Sequence, residues 1–574
     1  MDNLAIARVF GEIGDLLEIK NENPFKVRAY RNAADTIAHH PDPVAALPPS
    51  DRLALPGIGK DLAAKLGELL DTGSIRFHQE LLEEFPPTIL DLLRLQGVGP
   101  KTVALLYHHL GIRTVADLEA AAREGRIRQL KGMGAKREAL ILRAIEEHSR
   151  SAGRRPLAEA HDVAAGLIAW LRAAAPGVPV TAVGSLRRGC DTCGDIDILA
   201  AGAPESLLDA FTSYPGMERV LAHGDTRRSV LLRGGFQADL RLVPAESAGA
   251  AMQYFTGSKN HNIALRDRAI ARGMKLNEYG LFAIEGGARA AGETEEGIYD
   301  ALGLAFVPPE LREGRGELEA AAAGSLPRLI GLPDVRGDLH MHTTASDGRA
   351  DAWTMARSAR DAGLSYVAIT DHSRSLAMAN GLDERRALEH AGAVRALNGR
   401  DDLGGITLLA GIECDILPDG RMDLSDDCLA ELDIVVASLH SALSQDREAA
   451  TDRLLRAIAC PWVDVIAHPT GRLILKREPV RADMDRVFDA AAAADVAMEI
   501  NSLPDRLDLD DGLARRARDR GVRLVVDSDA HSPAALGNLR WGVTVARRAW
   551  LEAPDVLNTQ PLDAFRASLR RNRR

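Results

Sequence analysis

The sequence predicts a multidomain protein of the α+β and α/β classes: helical domains first, a mixed sheet in the middle and a parallel βα barrel last. Its 574 residues are several times the length of a typical domain. Residues 1–150 read as helices joined by short glycine-containing turns, whereas residues 178–245 contain short β-rich segments such as GDIDILAA and FQADLRLV. From residue 338 onward, apolar strands such as YVAIT and VAMEIN alternate with Ala- and Arg-rich helical stretches, a pattern typical of a parallel βα repeat.

The composition is that of a globular protein, with 46% hydrophobic and 27% charged residues, which excludes disorder or coiled coil for most of the chain. No segment approaches the roughly 18 uninterrupted apolar residues of a membrane helix. Five cysteines in so long a chain favour a reducing compartment, so we expect a cytoplasmic protein. The net charge of −11 argues against a nucleic-acid partner, but residues 1–150 are nearly neutral and some carboxylates can serve as metal ligands.

Three segments of the helical region resemble one another: LPGIGKDLAAKL (55–66), LQGVGPKTVALL (95–106) and LKGMGAKREALI (130–141). Two glycines permit a tight turn, and the helix that follows directs free backbone amides at a phosphate. These segments resemble helix-hairpin-helix motifs, which implies DNA binding without sequence preference. The candidate DNA contacts in them are Gly57, Gly59, Lys60, Gly97, Gly99, Lys101, Gly132 and Gly134.

A basic and aromatic stretch precedes the first hairpin and includes Lys26 and Tyr30. An amine held near other cations can have a lowered pKa and attack a sugar aldehyde, although simple phosphate contact is the alternative. The region resembles the lyase domain of polymerase-beta-like enzymes. By that resemblance Lys65 is the candidate Schiff-base lysine, while Lys26 and Tyr30 belong to a 5′-phosphate pocket. Asp61 stands where the family has a second pocket lysine.

The segment VGSLRRGCDTCGDIDILA (183–200) carries the most specific chemistry of the first half. Asp195 and Asp197 alternate on a predicted strand and so share one face, and FQADLRLV adds Asp239 on another strand. Three such carboxylates can hold two Mg²⁺ or Mn²⁺ ions for nucleotidyl transfer. The GS turn and two arginines are suited to the phosphates of a nucleotide. The CDTC pair has no second CxxC in the chain, so we interpret it as packing rather than zinc binding.

The segment YFTGSKNHNIALRDRAIARGMKLNEYGLF (254–282) resembles the thumb motif of family-X DNA polymerases, and the resemblance extends from residue 1 to about 318. It implies that Asp195 and Asp197 bind both metals and that Asp239 binds the catalytic one. The matching nucleotide and template contacts are Ser185, Arg188, Gly194, Tyr254, Phe255, Gly257, Asn262 and Arg266. Lys259 replaces the family's aspartate after TGS.

The last 240 residues contain histidines and carboxylates at or beside predicted strand ends. An HxH pair on a strand directs both imidazoles to one side, as two ligands of one metal require. Nine such donors at the mouth of one barrel suffice for two or three Zn²⁺, Mn²⁺ or Fe²⁺ ions, which would activate water and clamp a phosphate. The candidate ligands are His340, His342, Asp347, His372, Glu413, His440, His468, Asp529 and His531.

This set of donors is similar to that of PHP domains, a phosphoesterase family on a (βα)7 barrel. By the resemblance Glu413 bridges two ions. Asp371 adjoins the candidate ligand His372 in the sequence, and we expect it to support a ligand rather than to be one. Arg374, Arg472 and Ser441 are candidate contacts to the scissile phosphate.

The expected domains follow from these assignments. They are an amino-terminal lyase-like domain (1–88), a second helix-hairpin-helix domain (89–150), a nucleotidyltransferase palm (151–245), a thumb (246–318), a linker (319–336) and a PHP domain (337–574).

The order of domains resembles the bacterial and archaeal family-X DNA polymerases that carry a PHP domain. The resemblance implies gap filling in DNA repair on gapped or primed duplex DNA with dNTPs, and a 3′→5′ exonuclease in the barrel, with possible activity at abasic sites or 3′-phosphates. We further expect a monomer in the cytoplasm, near the nucleoid and without a membrane partner. Two alternatives stay open: a PHP phosphoesterase of DNA ends or a small phosphate ester beside an inactive polymerase core, and a non-catalytic DNA-end scaffold.

Overall fold

The computed structural model describes residues 3–38, 44–86, 88–93, 95, 98–151 and 153–569. The chain divides into two compact units, residues 1–152 and residues 153–574. In the described part of the chain no helix combines the length and the apolar character needed to span a membrane.

The amino-terminal unit (residues 1–152) is helical, as predicted. In its first helix Ile6, Phe10, Ile13 and Leu17 recur at helical spacing, and each is at most 1% exposed, so one face packs against the next helices. The helices are α1 (Asn3–Ile19), α2 (Pro24–Ala38), α3 (Pro49–Leu53), α4 (Lys60–Thr72), α5 (Arg76–Glu84), α6 (Ile89–Leu92), α7 (Pro100–Leu110), α8 (Val115–Arg123) and α9 (Ala135–Ser151).

The carboxyl-terminal unit (residues 153–574) begins with a mixed five-stranded sheet in the order β2-β4-β7-β6-β5. Only β4 and β7 run parallel, and these two strands carry the acidic motifs. The elements are β1 (Arg155–Pro156), α10 (Leu157–Ala174), β2 (Val180–Ala182), α11 (Gly184–Arg187), β3 (Thr192–Cys193), β4 (Asp195–Ala201), α12 (Ser206–Thr212), β5 (Met217–His223), β6 (Arg227–Leu232) and β7 (Gln237–Val243).

A smaller helical layer with a three-stranded antiparallel sheet follows. Its core contains a buried polar group: His261 lies between Glu317 (Nδ1 to Oε1, 2.7 Å) and the Tyr299 hydroxyl (Nε2 to Oη, 2.8 Å). The elements are α13 (Ala248–Thr256), α14 (Lys259–Ala271), β8 (Met274–Asn277), β9 (Gly280–Ala283), β10 (Arg289–Ala291), α15 (Glu295–Ala301) and α16 (Glu317–Ala323). In the segment expected to be a linker, Leu329 forms an isolated β-bridge with Glu552.

The predicted barrel is confirmed: seven parallel strands lie side by side in chain order. A bridge between Met341 and Ala530 joins the first strand region to the last. All four residues of Tyr366–Ile369 are buried, as expected for a parallel strand that is covered on both faces. The strands are β11 (Gly337–Asp338), β12 (Tyr366–Ile369), β13 (Thr407–Asp415), β14 (Ile434–Ser438), β15 (Val465–Ile466), β16 (Ala497–Asn501) and β17 (Leu524–Asp527).

The helices of the barrel follow its strands and place every βα loop at one end, where parallel-barrel active sites lie. They are α17 (Ala352–Asp361), α18 (Glu384–Leu397), α19 (Asp426–Ala430), α20 (Arg447–Ala459), α21 (Met484–Ala494), α22 (Asp511–Asp519), α23 (Leu539–Arg548) and α24 (Leu562–Ser568). Helix α23 also packs toward the mixed sheet: Trp541 contacts His161 of α10 with ring centroids 5.2 Å apart.

Candidate functional sites

The three predicted palm carboxylates come together on neighbouring strands. Asp195 and Asp197 lie two residues apart at the start of β4, and Asp197 is directly opposite Asp239 in the parallel ladder with β7. Side chains in register on adjacent strands point to the same face, so all three carboxylates lie on one side of the sheet. Asp239 is buried, whereas Asp195 is exposed, so the cluster opens to solvent at one end.

The charges in this cluster repel one another. Burial, together with the charges of Asp195 and Asp239, raises the pKa of Asp197 to about 6. Arg227 offsets part of this charge, since its guanidinium donates to Asp239 (Nη2 to Oδ2, 2.6 Å). Oxygen ligands grouped in this way suit a hard divalent cation, so the donor set fits Mg²⁺ or Mn²⁺.

The GS turn approaches the carboxylates closely. Gly184 has φ +66°, and a Cβ placed on it would lie 2.7 Å from Asp197 Oδ2. A side chain there is therefore excluded both by the backbone conformation and by the carboxylate. The turn brings Ser185 and the backbone that follows to the edge of the acidic cluster.

The predicted triphosphate contact Arg188 lies in this turn but also has protein partners. Its guanidinium donates to the Thr256 carbonyl (Nη1, 2.6 Å) and to Glu313 Oε1 (Nε, 3.0 Å). Gly194 lies at the other end of the loop, and its ideal Cβ position is 3.7 Å from Arg154 Nη1. Arg188 is thus held at a fixed position beside the TGS segment.

The predicted sugar and base contacts form a second group. The rings of Tyr254 and Phe255 meet edge to face at 5.1 Å, and Gly257 after them has φ +72°. Asn262 Nδ2 donates to the Tyr254 carbonyl (2.7 Å), while Arg266 is exposed one turn further along α14. These residues share one edge of the helical layer, and their contacts to a nucleotide stay a prediction.

The barrel brings all nine of its predicted donors into four overlapping groups. Within each group, the candidate ligand atoms lie within 4.8 Å of one another. The groups are His342, Asp347, His372 and His531; His340, Glu413 and His468; His340, His342 and Asp529; and His372, Glu413 and His440.

Glu413 lies at the centre of this arrangement, at the end of β13. Its Oε2 is 2.6 Å from His372 Nδ1 and 3.5 Å from His340 Nε2, and its Oε1 is 3.0 Å from His468 Nε2. One carboxylate therefore faces histidines from three strand ends, as a bridging ligand would. Asp529 is the second such centre, with Oδ1 3.2 Å from His342 Nε2.

The site is both buried and short of hydrogen bonds. His340 and His342 are fully buried and Glu413 is 1% exposed. Within the described residues, the close approaches of His340 Nε2, both His342 ring nitrogens and Glu413 Oε2 lack the geometry of a hydrogen bond. Buried polar atoms without a partner are costly, so these converging atoms fit metal coordination.

The protonation states in the metal-free site are uneven. Burial opposes charge on His372, yet Glu413 and Asp347 raise its pKa to about 10. Burial and the neighbouring His531 and His372 lower the pKa of His342 to about 4. A metal must displace the protons that these carboxylates attract, so metal uptake releases protons.

Three residues that the sequence pattern did not indicate contact the ligands directly, and Asp371 lies in the loop beside them. Glu499 Oε1 is 2.7 Å from His340 Nδ1, and Asp415 Oδ1 is 2.5 Å from His440 Nδ1. Asn501 Nδ2 donates to Asp529 Oδ2 (3.0 Å), and Asp371 accepts from the Thr343 hydroxyl (2.7 Å). The polar positions of the strand AMEIN were a usable signal, because an acid in a fully buried strand needs a partner.

The structure gives two of the predicted phosphate contacts of the barrel other partners. Arg374 binds Asp423, and Arg472 donates to the carbonyls of Arg506 (Nε, 2.9 Å) and Leu507 (Nη2, 2.7 Å). Both arginines hold loops: Arg472 supplies donors to the two loop carbonyls, and Arg374 adds its charge to the Ser375 amide and hydroxyl that donate to the buried Asp423. Ser441 offers its carbonyl to Arg453.

A further arginine, Arg506, lies beside the candidate ligands. Its Nε is 3.9 Å from Asp529 Oδ2, and its Nη1 is buried without a hydrogen-bond partner among the described residues. It lies in the irregular segment between β16 and α22, where the sequence pattern alone gives no sign of its direction.

The three hairpins of the amino-terminal unit share one turn geometry. The amides of Ile58, Val98 and Met133 each donate to the carbonyl three residues earlier, at 3.0–3.1 Å. Gly59 and Gly99 precede α4 and α7 in extended conformation, Gly134 directly precedes α9, and Gly57 and Gly132 have positive φ. Lys60 and Lys101 are exposed at the helix starts, and Gly97 lies outside the described residues. The same backbone hydrogen bond thus recurs just before each of α4, α7 and α9.

The candidate lyase residues meet around one ring. Lys26 Nζ lies 4.8 Å and Lys65 Nζ 5.6 Å from the centroid of Phe77, and the ring of the buried Tyr30 stacks on Phe77 at 6.2 Å. Lys65 also pairs with Asp61, the residue that departs from the family pattern. Phe77 is a member of this cluster that the sequence reasoning missed.

Family models match successive parts of the chain: a helix-hairpin-helix domain (1–75), a SAM-like helix-hairpin-helix tandem (89–147), the DNA polymerase beta palm (154–223), the DNA polymerase beta thumb (251–313) and a PHP domain (338–503).

Among curated proteins, the chain is 37% identical over 570 residues to the DNA polymerase/3′-5′ exonuclease PolX of Bacillus subtilis, covering 99% of both chains. It is 27% identical over 327 residues to rat DNA polymerase lambda, covering 50% of this chain and 52% of that one. A probable phosphatase of Thermoanaerobacter sp. is 32% identical over 235 residues, covering 39% of this chain and 89% of the phosphatase. With the full-length match, the acidic palm and the histidine-rich barrel taken together, the chain belongs to the family-X DNA polymerases that carry a carboxyl-terminal PHP domain.

Proposed function

We propose that this protein is a DNA-directed DNA polymerase that fills short gaps during repair, and that its barrel trims 3′ ends as a 3′→5′ exonuclease. The observation that carries the first half is the parallel pairing of Asp197 with Asp239 beside the Gly184 turn. Membership of a family that includes a DNA polymerase/3′-5′ exonuclease supports both halves.

In the palm, Asp195 and Asp197 would hold two Mg²⁺ or Mn²⁺ ions and Asp239 would hold the one at the primer. Bound ions would neutralise the triphosphate and favour ionisation of the primer 3′-hydroxyl. Ser185, Arg188 and the backbone at Gly194 would hold the triphosphate, while Tyr254, Phe255 and Gly257 would line the sugar. Asn262 and Arg266 would contact the nascent pair and the template.

In the barrel, the nine donors would hold two or three Mn²⁺, Zn²⁺ or Fe²⁺ ions, which supply an activated water. Glu413 would bridge two of them. Arg506 would bind the scissile phosphate, since its Nε lies 3.9 Å from Oδ2 of the ligand Asp529 and its Nη1 has no hydrogen-bond partner among the described residues. Glu499 and Asp415 would fix the orientation of the His340 and His440 rings, so that each presents its other nitrogen.

In the amino-terminal unit, the hairpin amides and Lys60 and Lys101 would hold the DNA backbone. Lys26 and Tyr30 would bind the 5′-phosphate of a gap. Lys65 is the proposed Schiff-base nucleophile, and its amine would have to leave the ion pair with Asp61 to reach the sugar aldehyde.

The proposed partners are gapped or primed duplex DNA and dNTPs. A monomeric state and a cytoplasmic, nucleoid-associated location belong to the same proposal, because chromosomal gaps would be the substrate. The domain boundaries predicted above also stay proposals.

The test uses a duplex with a one-nucleotide gap, a 5′-phosphate and a labelled primer, in Mn²⁺ with and without dNTPs. We expect extension to be lost in Asp239→Ala alone and shortening to be lost in His342→Ala alone, so each variant is the control for the other. Asp225→Ala, an exposed carboxylate in the β5–β6 turn, should retain both activities. Failure of the wild type to extend with any divalent metal would contradict the polymerase proposal.

A second candidate is a phosphoesterase of DNA ends or of a small phosphate ester. The similarity of the barrel to probable phosphatases favours it. Release of inorganic phosphate from a 3′-phosphorylated primer or a small phosphomonoester, without primer shortening, would support it over the exonuclease.

A further inference from the structure

The barrel packs against the turn of the palm that is proposed to hold the nucleotide. We call residues 184–191 the phosphate turn. Arg548 donates to the Arg188 carbonyl (Nη1, 2.7 Å), and Arg472 Nη1 lies 3.2 Å from Asp191 Oδ2. At Gly189 an ideal Cβ would lie 2.3 Å from Thr544 Cγ2, so α23 packs directly on the backbone. Three barrel side chains thus contact consecutive parts of the turn.

Arg548 also acts on the Arg188 side chain through a shared carboxylate. Glu313 Oε1 accepts from Arg188 Nε (3.0 Å) and from Arg548 Nη1 (2.9 Å). Arg548 is 7% exposed, and its other end donates to Asp511 (Nη2, 3.0 Å), which also pairs with Arg315. Burial opposes ionisation of Glu313, but Arg548 and Arg188 hold its pKa below the usual range. The Glu313 carboxylate is therefore charged, and it accepts hydrogen bonds from two guanidinium groups.

We propose that Arg548 of the barrel is a positioning residue for nucleotide binding in the palm, acting through Glu313 and the Arg188 carbonyl. The inference rests on the proposed polymerase function, because it concerns Arg188 as the contact to a nucleoside triphosphate. While Arg548 also pairs with Glu313, the carboxylate neutralises less of the Arg188 charge, and more of that charge is available to attract the triphosphate. Without Arg548, the charge of Glu313 would be balanced by Arg188 alone. The Arg188 carbonyl would also lose the hydrogen bond that Arg548 donates to it.

The first test measures single-nucleotide incorporation on the gapped duplex over a range of dNTP concentrations. For Arg548→Ala we expect KM for the dNTP to rise about tenfold, equivalent to about 1.4 kcal/mol of binding, with kcat nearly unchanged. Shortening of the same primer without dNTPs should be unchanged. Arg548→Lys, which keeps the charge but not the fork of donors, should recover part of the affinity.

Arg547 offers a matched control on the same helix. Its guanidinium donates to Glu310 (Nε, 2.8 Å) and to the Ile330 carbonyl (Nη1, 3.0 Å), away from the phosphate turn. Arg547→Ala should leave KM for the dNTP unchanged. An equal rise in KM for both variants would overturn the proposal, since it would indicate a general loosening of the interface.

A double-mutant cycle with Glu313→Gln tests whether Arg548 acts on Arg188 through Glu313. If Arg548 acts largely through Glu313, most of the KM effect of Arg548→Ala should be absent in the Glu313→Gln background. Additive effects would overturn this route. Thermal unfolding of each variant identifies those that fold, and if Arg548→Ala does not, Arg548→Lys carries the test with an expected rise of about threefold.

Direct titration of dNTP into the complex with a dideoxy-terminated gapped duplex separates this inference from the proposed function. Weaker dNTP binding by Arg548→Ala supports the inference even where the wild type does not extend a primer. Unchanged dNTP binding overturns it, whatever the extension assay shows.

Discussion

The two candidate metal centres of the carboxyl-terminal unit are built on opposite principles. The palm centre uses three carboxylates on two adjacent strands, and Asp195 is exposed. The barrel centre uses six histidines and three carboxylates from around the whole barrel mouth, and most of these side chains are buried. An open set of oxygen ligands binds hard cations that exchange with solvent, whereas a buried set of nitrogen ligands retains softer cations. Donor type and burial thus allow one chain to keep two metal populations apart.

After removal of metal by a chelator, the two centres should differ completely in the metal that restores their activity. After dialysis against a strong chelator, Mg²⁺ alone should restore primer extension but not shortening, because imidazole-rich sites bind Mg²⁺ poorly. Added Mn²⁺ or Zn²⁺ should restore shortening, and elemental analysis would record the metal that returns. Full recovery of both activities in Mg²⁺ alone would contradict the claim that the two centres bind different metals.

Gly184→Ala should damage only the palm. The added methyl group would meet Asp197 Oδ2 at 2.7 Å in a left-handed backbone conformation. We expect extension to fall by about a hundredfold or more, since displacement of catalytic groups by about 1 Å costs that much. Shortening should be unaffected. Gly177, which also has positive φ but open space around it, provides the control variant Gly177→Ala.

Glu499→Gln should weaken only the barrel. The substitution removes the charge that faces His340 Nδ1 at 2.7 Å while keeping the shape of the side chain. Loss of such supporting partners typically costs 10–100-fold in metal affinity or activity, so shortening should fall by about that factor. Addition of more Mn²⁺ should recover part of the loss, and extension should stay at the wild-type rate. A loss that no concentration of metal relieves would indicate a role in chemistry instead.

The smallest expected effect is that of acidification on the Mg²⁺ requirement of the palm. The pKa of Asp197 is about 6, so protons compete with the cation below that pH and not above it. From pH 7.5 to 5.5 the Mg²⁺ concentration for half-maximal extension should therefore rise about fourfold. Arg227→Ala should move this dependence to higher pH, because Arg227 lowers the pKa of Asp197. A Mg²⁺ requirement that does not change over this range would contradict the assigned cluster.

Much of both sites could be predicted from the sequence because their ligands follow local rules. Alternation along a strand puts Asp195 and Asp197 on one face, and the ends of parallel strands bring distant histidines together. The second layer could not be predicted in this way. Arg374 and Arg472 resemble phosphate contacts in sequence, but their partners Asp423, Arg506 and Leu507 are set by loop geometry.

The interface between barrel and palm was equally out of reach of pattern reasoning. Arg548 and Glu313 are 235 residues apart, and each alone reads as an ordinary surface charge at the end of an element. Their pairing depends on how the barrel packs against the palm within one compact unit, which no local periodicity encodes. The sequence therefore predicts ligands well and the groups that position them poorly.

The presence of both centres in one compact unit also has a cellular consequence. Under the proposed function, synthesis and removal of 3′ ends are encoded by one gene and produced in a fixed ratio of one to one. Changes in expression cannot favour one over the other. The balance then depends on supply, namely the dNTP pool and the intracellular availability of Mg²⁺ relative to transition metals, so nutritional state rather than gene dosage would decide whether a primer end grows or shrinks.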